Sequence, residues 1–251
     1  MPLQSRREFS SNLLGSLMAY GLIETLFRRD LLAQEVKPIV QKWLADLSAL
    51  SQDLKDKKLK DVEFQAKLEE LYKKCDLPEF LKLVDFDKVE KATKFPDKGA
   101  ANLGVDLAKV EGLPRQLVFG KQIFACKKGR AIVPHGHDNM ATGFIILKGD
   151  WTGKHYDRVE DNADHYLIKP TIDRTFKPGE SSTISDHKDN VHWFKAESET
   201  AFLFNIHVMG YNPESKKSAS RVYIDPEGEK TAGGLIVAKK ISSAECHRKY
   251  G

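Results

Sequence analysis

Between about Leu113 and Tyr211 the chain is cut into short β-prone runs by turn residues, a rhythm that restricts it to a sandwich or a small barrel. The runs are Gln116 to Cys126, Gly143 to Leu147, His165 to Lys169, Ser182 to Ser185, Val191 to Lys195 and Ala201 to Met209. Lys127-Lys128-Gly129, Lys148-Gly149-Asp150 and Lys177-Pro178-Gly179-Glu180 punctuate them. One more run, Gly234 to Ala238, precedes a charged tail that contains Cys246-His247. Ahead of this region the period changes: Leu44, Leu47, Leu50 and Leu54 recur at three- and four-residue intervals, an apolar stripe along a charged helix. A second helix starts near Asp61 with Phe64, Leu68, Leu71 and Tyr72 on its buried face. A third short segment from Leu77-Pro78 carries Phe80, Leu81, Leu83 and Val84. The reading is a mainly β chain: a leader over 1–33, a helical region over 34–112 packing on a barrel over 113–212, and a last strand with a polar tail over 213–251.

With 251 residues, 41% of them hydrophobic, the chain can bury one core and carry accessory helices. Its 40 basic and 36 acidic residues are interleaved, as in Asp53-Leu54-Lys55-Asp56-Lys57-Lys58, with no basic stripe of the kind that binds nucleic acid. Three cysteines make no disulfide framework, and Cys126, inside an apolar run, reads as a small buried hydrophobe. Ser5-Arg6-Arg7-Glu8-Phe9, followed by the moderately apolar stretch Asn12 to Phe27, resembles a twin-arginine export signal, which implies a periplasmic or exported protein. Read instead as an ordinary amphipathic helix, the same segment would leave the protein cytoplasmic. Glu24 argues against a transmembrane span.

Seven of the eight histidines fall between residues 135 and 207. His135 and His137 flank Gly136, and on a strand residues i and i+2 share a face, so both imidazoles point to one place. Two neutral imidazoles held that way make two-thirds of a facial metal site, and imidazole suits iron, copper, nickel and zinc.

Gly129, His135, His137 and Gly149 match the first motif of the cupin superfamily, which this chain resembles over about residues 115 to 211. Thr142 stands where most metal cupins have a glutamate. A Pro-Gly turn at Pro178-Gly179 precedes Asn190-Val191-His192, which makes His192 the third ligand that the resemblance implies, with His187 as the alternative. The fold so implied is a double-stranded β-helix, a jelly-roll barrel. Three histidines without a carboxylate resemble the thiol dioxygenase branch, which uses a three-His ferrous site. His207 lies fifteen residues after His192, the spacing at which that branch carries a catalytic histidine. Asn205 and Met209 stand where the branch has serine and tyrosine, and Tyr211 follows two residues on. Arg115 resembles the branch's substrate-clamping arginine.

These residues imply a divalent metal, iron(II) first and zinc, nickel or manganese as alternatives, held by His135, His137 and His192. His207 takes the catalytic role, and Arg115, Thr142, Asn205 and Tyr211 contact a small anionic substrate. Partners are then a small molecule and, as a candidate assembly, a second copy of the chain; no nucleic acid and no membrane span are implied. Three functions remain open: an iron oxygenase, a non-redox metal enzyme such as an isomerase or lyase, and a module that binds metal or a small ligand without turnover. His155 and His165 are read as pocket-mouth or exposed loop residues, and Trp193 and Phe194 as core or pocket wall.

Overall fold

The computed structural model describes residues 38–107 and 110–251. The leader expected over 1–33 lies outside the described residues.

Among the described residues four helices come first: α1 (Pro38–Lys55), α2 (Asp61–Tyr72), α3 (Leu77–Leu83) and α4 (Phe86–Ala92). The stripe on α1 is buried at Val40, Trp43, Leu44, Leu47 and Leu54, as its three- and four-residue spacing requires. Glu63 Oε2 accepts from the Lys60 backbone N–H (2.9 Å) at the start of α2, and the Asp76 side chain accepts from the Glu79 N–H to start α3. Among the described residues no helix is long and apolar enough to cross a membrane.

Eleven strands follow: β1 (Ala101–Gly104), β2 (Gly120–Lys127), β3 (Ala131–Asp138), β4 (Met140–Lys148), β5 (Trp151–Asp161), β6 (His165–Phe176), β7 (Ser181–Ile184), β8 (Val191–Ala196), β9 (Thr200–Met209), β10 (Ser220–Asp225) and β11 (Ile236–Lys240). One sheet has the order β1-β2-β9-β4-β7; the other runs β10-β11-β6-β5-β8-β3 and closes on itself. The eight strands β2 to β9 thus alternate between two antiparallel sheets as β2-β9-β4-β7 and β3-β8-β5-β6, the strand order of a jelly roll. The mainly β jelly-roll barrel with an α-helical N-terminal region is therefore the fold of this chain.

The first sheet is buried on both faces, which explains why β4 and β9 read as nearly continuous apolar runs. Phe202, Phe204, Ile206 and Val208 face away from the barrel interior. Phe80 of α3 packs on Phe204 (ring centroids 4.9 Å apart), and Phe86 of α4 packs on Phe202 at 5.1 Å. The alternate residues Ala201, Leu203, Asn205 and His207 face inward. One half of the interior is an apolar plug of Phe124, Ile132, Phe144, Trp151, Phe176 and Phe194. The other half is polar and holds the site.

Bulges divide the second sheet. The β3–β8 register shifts between Ile132 and His135, so Ile132 and His135, three residues apart, both face the jelly-roll interior. The β5–β6 register shifts between His155 and Tyr156. Beyond these points the sheet curls around a second apolar cluster of Tyr156, Tyr166, Ile168, Val191, Ile224, Ile236 and Ala238. Gly136 sits where the two chambers meet. A Cβ there would lie 2.8 Å from Asn190 Oδ1 and 3.1 Å from the Tyr166 ring, so only glycine lets β3 present histidine to one chamber and close packing to the other.

Several sequence expectations are corrected. The β region is longer than 113–212: β1 falls inside the stretch read as helical, and β10, which was not expected, joins the expected last strand, β11, in the second sheet. β5 was missed because its outward residues are polar and its alternation is broken by the bulge. The supposed tail is α5 (Ser243–Tyr250), capped by Ser242, with Cys246 fully buried against the Pro134 carbonyl of β3. Replacing Phe80 with Ala would strip the ring that joins α3 to β9; such truncations cost about 3–5 kcal/mol, and thermal or denaturant unfolding should show a loss of that size.

Candidate metal centre

His135 and His137 on β3 and His192 on β8 converge, with one ring nitrogen from each lying within 4.8 Å of the others. Cross-strand register places His135 directly opposite His192. Ring centroids are 4.3 Å apart for His135 and His192, 4.9 Å for His135 and His137, and 5.1 Å for His137 and His192. All three side chains are buried.

Their hydrogen bonds fix which nitrogen is free. His135 Nδ1 is 2.7 Å from the Val133 carbonyl oxygen, and His192 Nδ1 is 3.4 Å from the Asn190 carbonyl oxygen. A carbonyl only accepts, so each Nδ1 carries the proton and each Nε2 keeps its lone pair. His137 Nδ1 faces the Met140 thioether at 2.6 Å, while its Nε2 is buried with no partner. A buried lone pair without a partner is costly in a protein interior, and with the two others converging on it, it is what a divalent cation would satisfy. The donor set therefore fits a metal of the iron, zinc, nickel or copper type.

The β3 backbone is clamped as well. Asn190 Nδ2 donates to the His137 carbonyl (2.9 Å), and Asn190 Oδ1 accepts from the His137 N–H (3.3 Å). Arg158 donates to the same His137 carbonyl at 3.2 Å and pairs with Asp138 at 2.7 Å.

The cavity at this point is lined by Phe124, Met140, Thr142, Phe144, Asn205, His207 and Arg221 besides the three histidines and Ile132. Its volume is only about 10 Å³, room for an ion or a single water. No carboxylate lines it. Thr142 Oγ1 points into a buried position without a partner. Arg221 enters from β10, where register sets it opposite His137, and no carboxylate pairs with it among the described residues.

Electrostatics follow from burial. Desolvation first, and the Arg221 charge second, push the His135 imidazole down to about 3. Burial and neighbouring histidines hold His137 and His192 well below the ordinary imidazole range. Burial and Arg221 lower His207 to about 4. All four rings are neutral at physiological pH, as metal ligation and proton acceptance both require.

Of the residues singled out from sequence, the structure brings together His135, His137, His192, Thr142, Asn205 and His207. It does not bring in Arg115, which lies on an exposed loop ahead of β2 because that strand begins at Gly120 rather than Gln116. Tyr211 is turned away and donates to Asp186 Oδ2 at 3.0 Å. The alternative ligand His187 is exposed and bonds through Nδ1 to Asp61 of α2 at 2.8 Å. His155 is not a loop residue: it is fully buried on β5, 6.2 Å from the Phe176 ring and 3.3 Å from Ser182 Oγ. His165 lies on β6 beside Asp164. Trp193 packs outward against Tyr250, whereas Phe194 belongs to the interior plug. Arg221 and Gln122 were missed; a lone arginine on a strand beyond the expected barrel carries no local signal.

No protein-family model and no curated protein matches the sequence. Among solved structures, the chain is similar to an oxalate oxidase in complex with the substrate analogue glycolate (19% identity, 53% of this chain and 61% of that chain, TM-score 0.37). It is also similar to procruciferin, an 11S globulin from Brassica napus (12% identity, 55% of this chain and 30% of that chain, TM-score 0.36). A third is a conserved protein with a double-stranded β-helix domain from Klebsiella pneumoniae subsp. pneumoniae MGH 78578 (11% identity, 48% of this chain and 80% of that chain, TM-score 0.33). The chain thus spans less than a third of the globulin's length and about three-fifths of the oxidase's. These likenesses concern the fold; the chemistry of the centre rests on its own geometry.

Burial of neutral histidines has a measurable consequence. Unfolding raises each imidazole toward 6.5, so below that pH the unfolded chain binds more protons and stability falls as pH drops. The metal-free protein should therefore lose stability from about pH 6.5 until the folded values near 3 to 4 are passed. His155→Phe removes one such group without touching the ligand triad, and should flatten the slope by about 1.4 kcal/mol per pH unit in denaturant titrations.

Proposed function

We propose that His135, His137 and His192 bind one divalent metal, iron(II) in the working protein, and that the centre is a mononuclear non-haem oxygenase acting on a small anionic substrate. The observation that carries this reading is the charge inventory of the cavity: four neutral imidazoles, three of them in the triad, one guanidinium and no carboxylate. With a dication bound, no protein group would neutralise it, so the negative charge must come from the substrate. When bound, the metal would supply Lewis acidity, a template for substrate and, as iron, a site for dioxygen chemistry.

The chain's own residues do the rest. Arg221, exposed at the cavity mouth, supplies a guanidinium whose N–H groups can donate to a substrate carboxylate or similar anion. Thr142, with its unpartnered hydroxyl, offers one hydrogen bond inside. Phe124, Ile132 and Phe144 wall the inner side with apolar surface and exclude water. Because the space is so small, the substrate reaches the centre with only one or two atoms and keeps its bulk at the mouth between His207 and Arg221. Among the described residues lining the cavity, His207 is the one imidazole outside the ligand triad, and at neutral pH it is an unprotonated base.

Substitution and metal analysis test this directly. His135→Ala, His137→Ala and His192→Ala should each abolish stoichiometric iron, while His187→Ala retains it. Loss of metal on removing His187, or retention without His192, would give the triad a different membership. Arg221→Ala should keep its metal and raise KM for an anionic substrate about 10- to 100-fold. Oxygen uptake by the iron form with small thiol and hydroxy acids separates an oxygenase from a non-redox metal enzyme, which would turn over anaerobically with zinc.

A further inference from the structure

Asn205, read from sequence as a substrate contact, has no free polar capacity for one. Its Nδ2 donates to the Gly143 carbonyl and the Ile206 carbonyl, both at 3.3 Å. Its Oδ1 accepts from Gln122 Nε2 at 3.0 Å and faces His207 Nδ1 at 3.3 Å. The amide cannot be reversed, because that would turn Oδ1 onto two carbonyl oxygens. The atom opposite His207 Nδ1 is therefore an acceptor, and Nδ1 must carry the proton. Both Asn205 and Gln122 are buried, so no water substitutes for these bonds.

We infer that Gln122 and Asn205 are positioning residues that lock His207, at the cavity wall, in its Nδ1–H tautomer, so that its Nε2 is a proton acceptor and not a donor. Gly120 completes the device. It is paired with His207 across β2 and β9, and a Cβ there would fall 2.2 Å from His207 Nε2. Only a glycine leaves room for the ring, whose Nε2 end lies over the β2 backbone at Gly120.

The consequence concerns the ligand, and here the proposal rests on the metal reading above. A neutral acceptor beside Arg221 suits a molecule that arrives with an acidic X–H, a thiol or a hydroxyl, next to an anionic group. The X–H bond breaks heterolytically, its proton goes to His207 Nε2 to give the imidazolium, and the electron pair stays on X. A ligand that offers only lone pairs, with no proton to give, would meet the Nε2 lone pair and be disfavoured.

The tautomer itself can be read without turnover. Full-length protein with ¹⁵N-labelled histidine rings, measured at neutral pH both without added metal and with zinc, should show His207 with a protonated Nδ1 and an unprotonated Nε2. Asn205→Asp keeps an acceptor in place and should preserve that pattern. Asn205→Leu should abolish it, giving a tautomer mixture or the Nε2–H form. Gly120→Ala should move the His207 resonances while the Asn205 amide remains bonded. A wild-type ring protonated on Nε2, or an Asn205→Leu variant with the wild-type pattern, overturns the proposal. If Asn205→Leu fails to fold, wild type and Asn205→Asp decide: both should carry the proton on Nδ1, and a ring protonated on Nε2 in either counts against the proposal. Because no metal is needed for the reading, a chain that takes up no metal can still pass or fail.

Discussion

The pairing of β3 with β8, bulged between Ile132 and His135, is the constraint on which the rest of the structure depends. Without the bulge, strict alternation would place Ile132 and His135 on opposite faces. With it, the same strand contributes Ile132 to the apolar plug and His135 and His137 to the polar end. The register that follows sets His192 opposite His135 and Arg221 opposite His137. Asn190 then fastens β3 by bonding both backbone groups of His137, and Arg158 fastens it from β5. One irregularity in one ladder thus decides which chamber each side chain enters.

The cavity chemistry follows from where the barrel puts polar groups. An apolar plug behind the histidines, and helices on the outer face of the first sheet, keep water away and hold the imidazoles neutral. Nδ1 atoms are spent on backbone carbonyls or on the Met140 thioether, so the Nε2 lone pairs are left facing one another. Such an arrangement is unstable by itself in electrostatic terms, since it gains nothing from the lost solvation, and it gains sense only with a cation between the rings. Thr142 brings a hydroxyl and no charge to the same cavity.

Much of this was legible in the sequence, for reasons that can be named. His135 and His137 show themselves through period two, and the helical stripe of α1 through its heptad-like spacing. His192 and His207 emerged from motif spacing, because β8 and β9 are regular and the turn between them is short. What stayed hidden depended on long-range register. Arg221 gains its place only through β10 pairing with β3, and nothing near it in the sequence says so. His187 is taken out of contention by Asp61, 126 residues away. Arg115 looked suitable through nearness to the first strand, but the strand starts later and its side chain stays in solvent. His155 was read as a loop residue because β5 is polar on its outer face; its burial comes from Phe176 and Phe194, which only the folded barrel brings beside it.

The central claim is a neutral three-imidazole centre without a protein carboxylate. X-ray absorption at the metal edge of the protein purified with its native metal tests it most directly. The account predicts a first coordination shell with three imidazole nitrogens, at about 2.0–2.1 Å if zinc is present, completed by light atoms that change when a small anion is added. A shell containing fewer than three imidazoles, or one completed by a protein carboxylate that no added anion displaces, would contradict it.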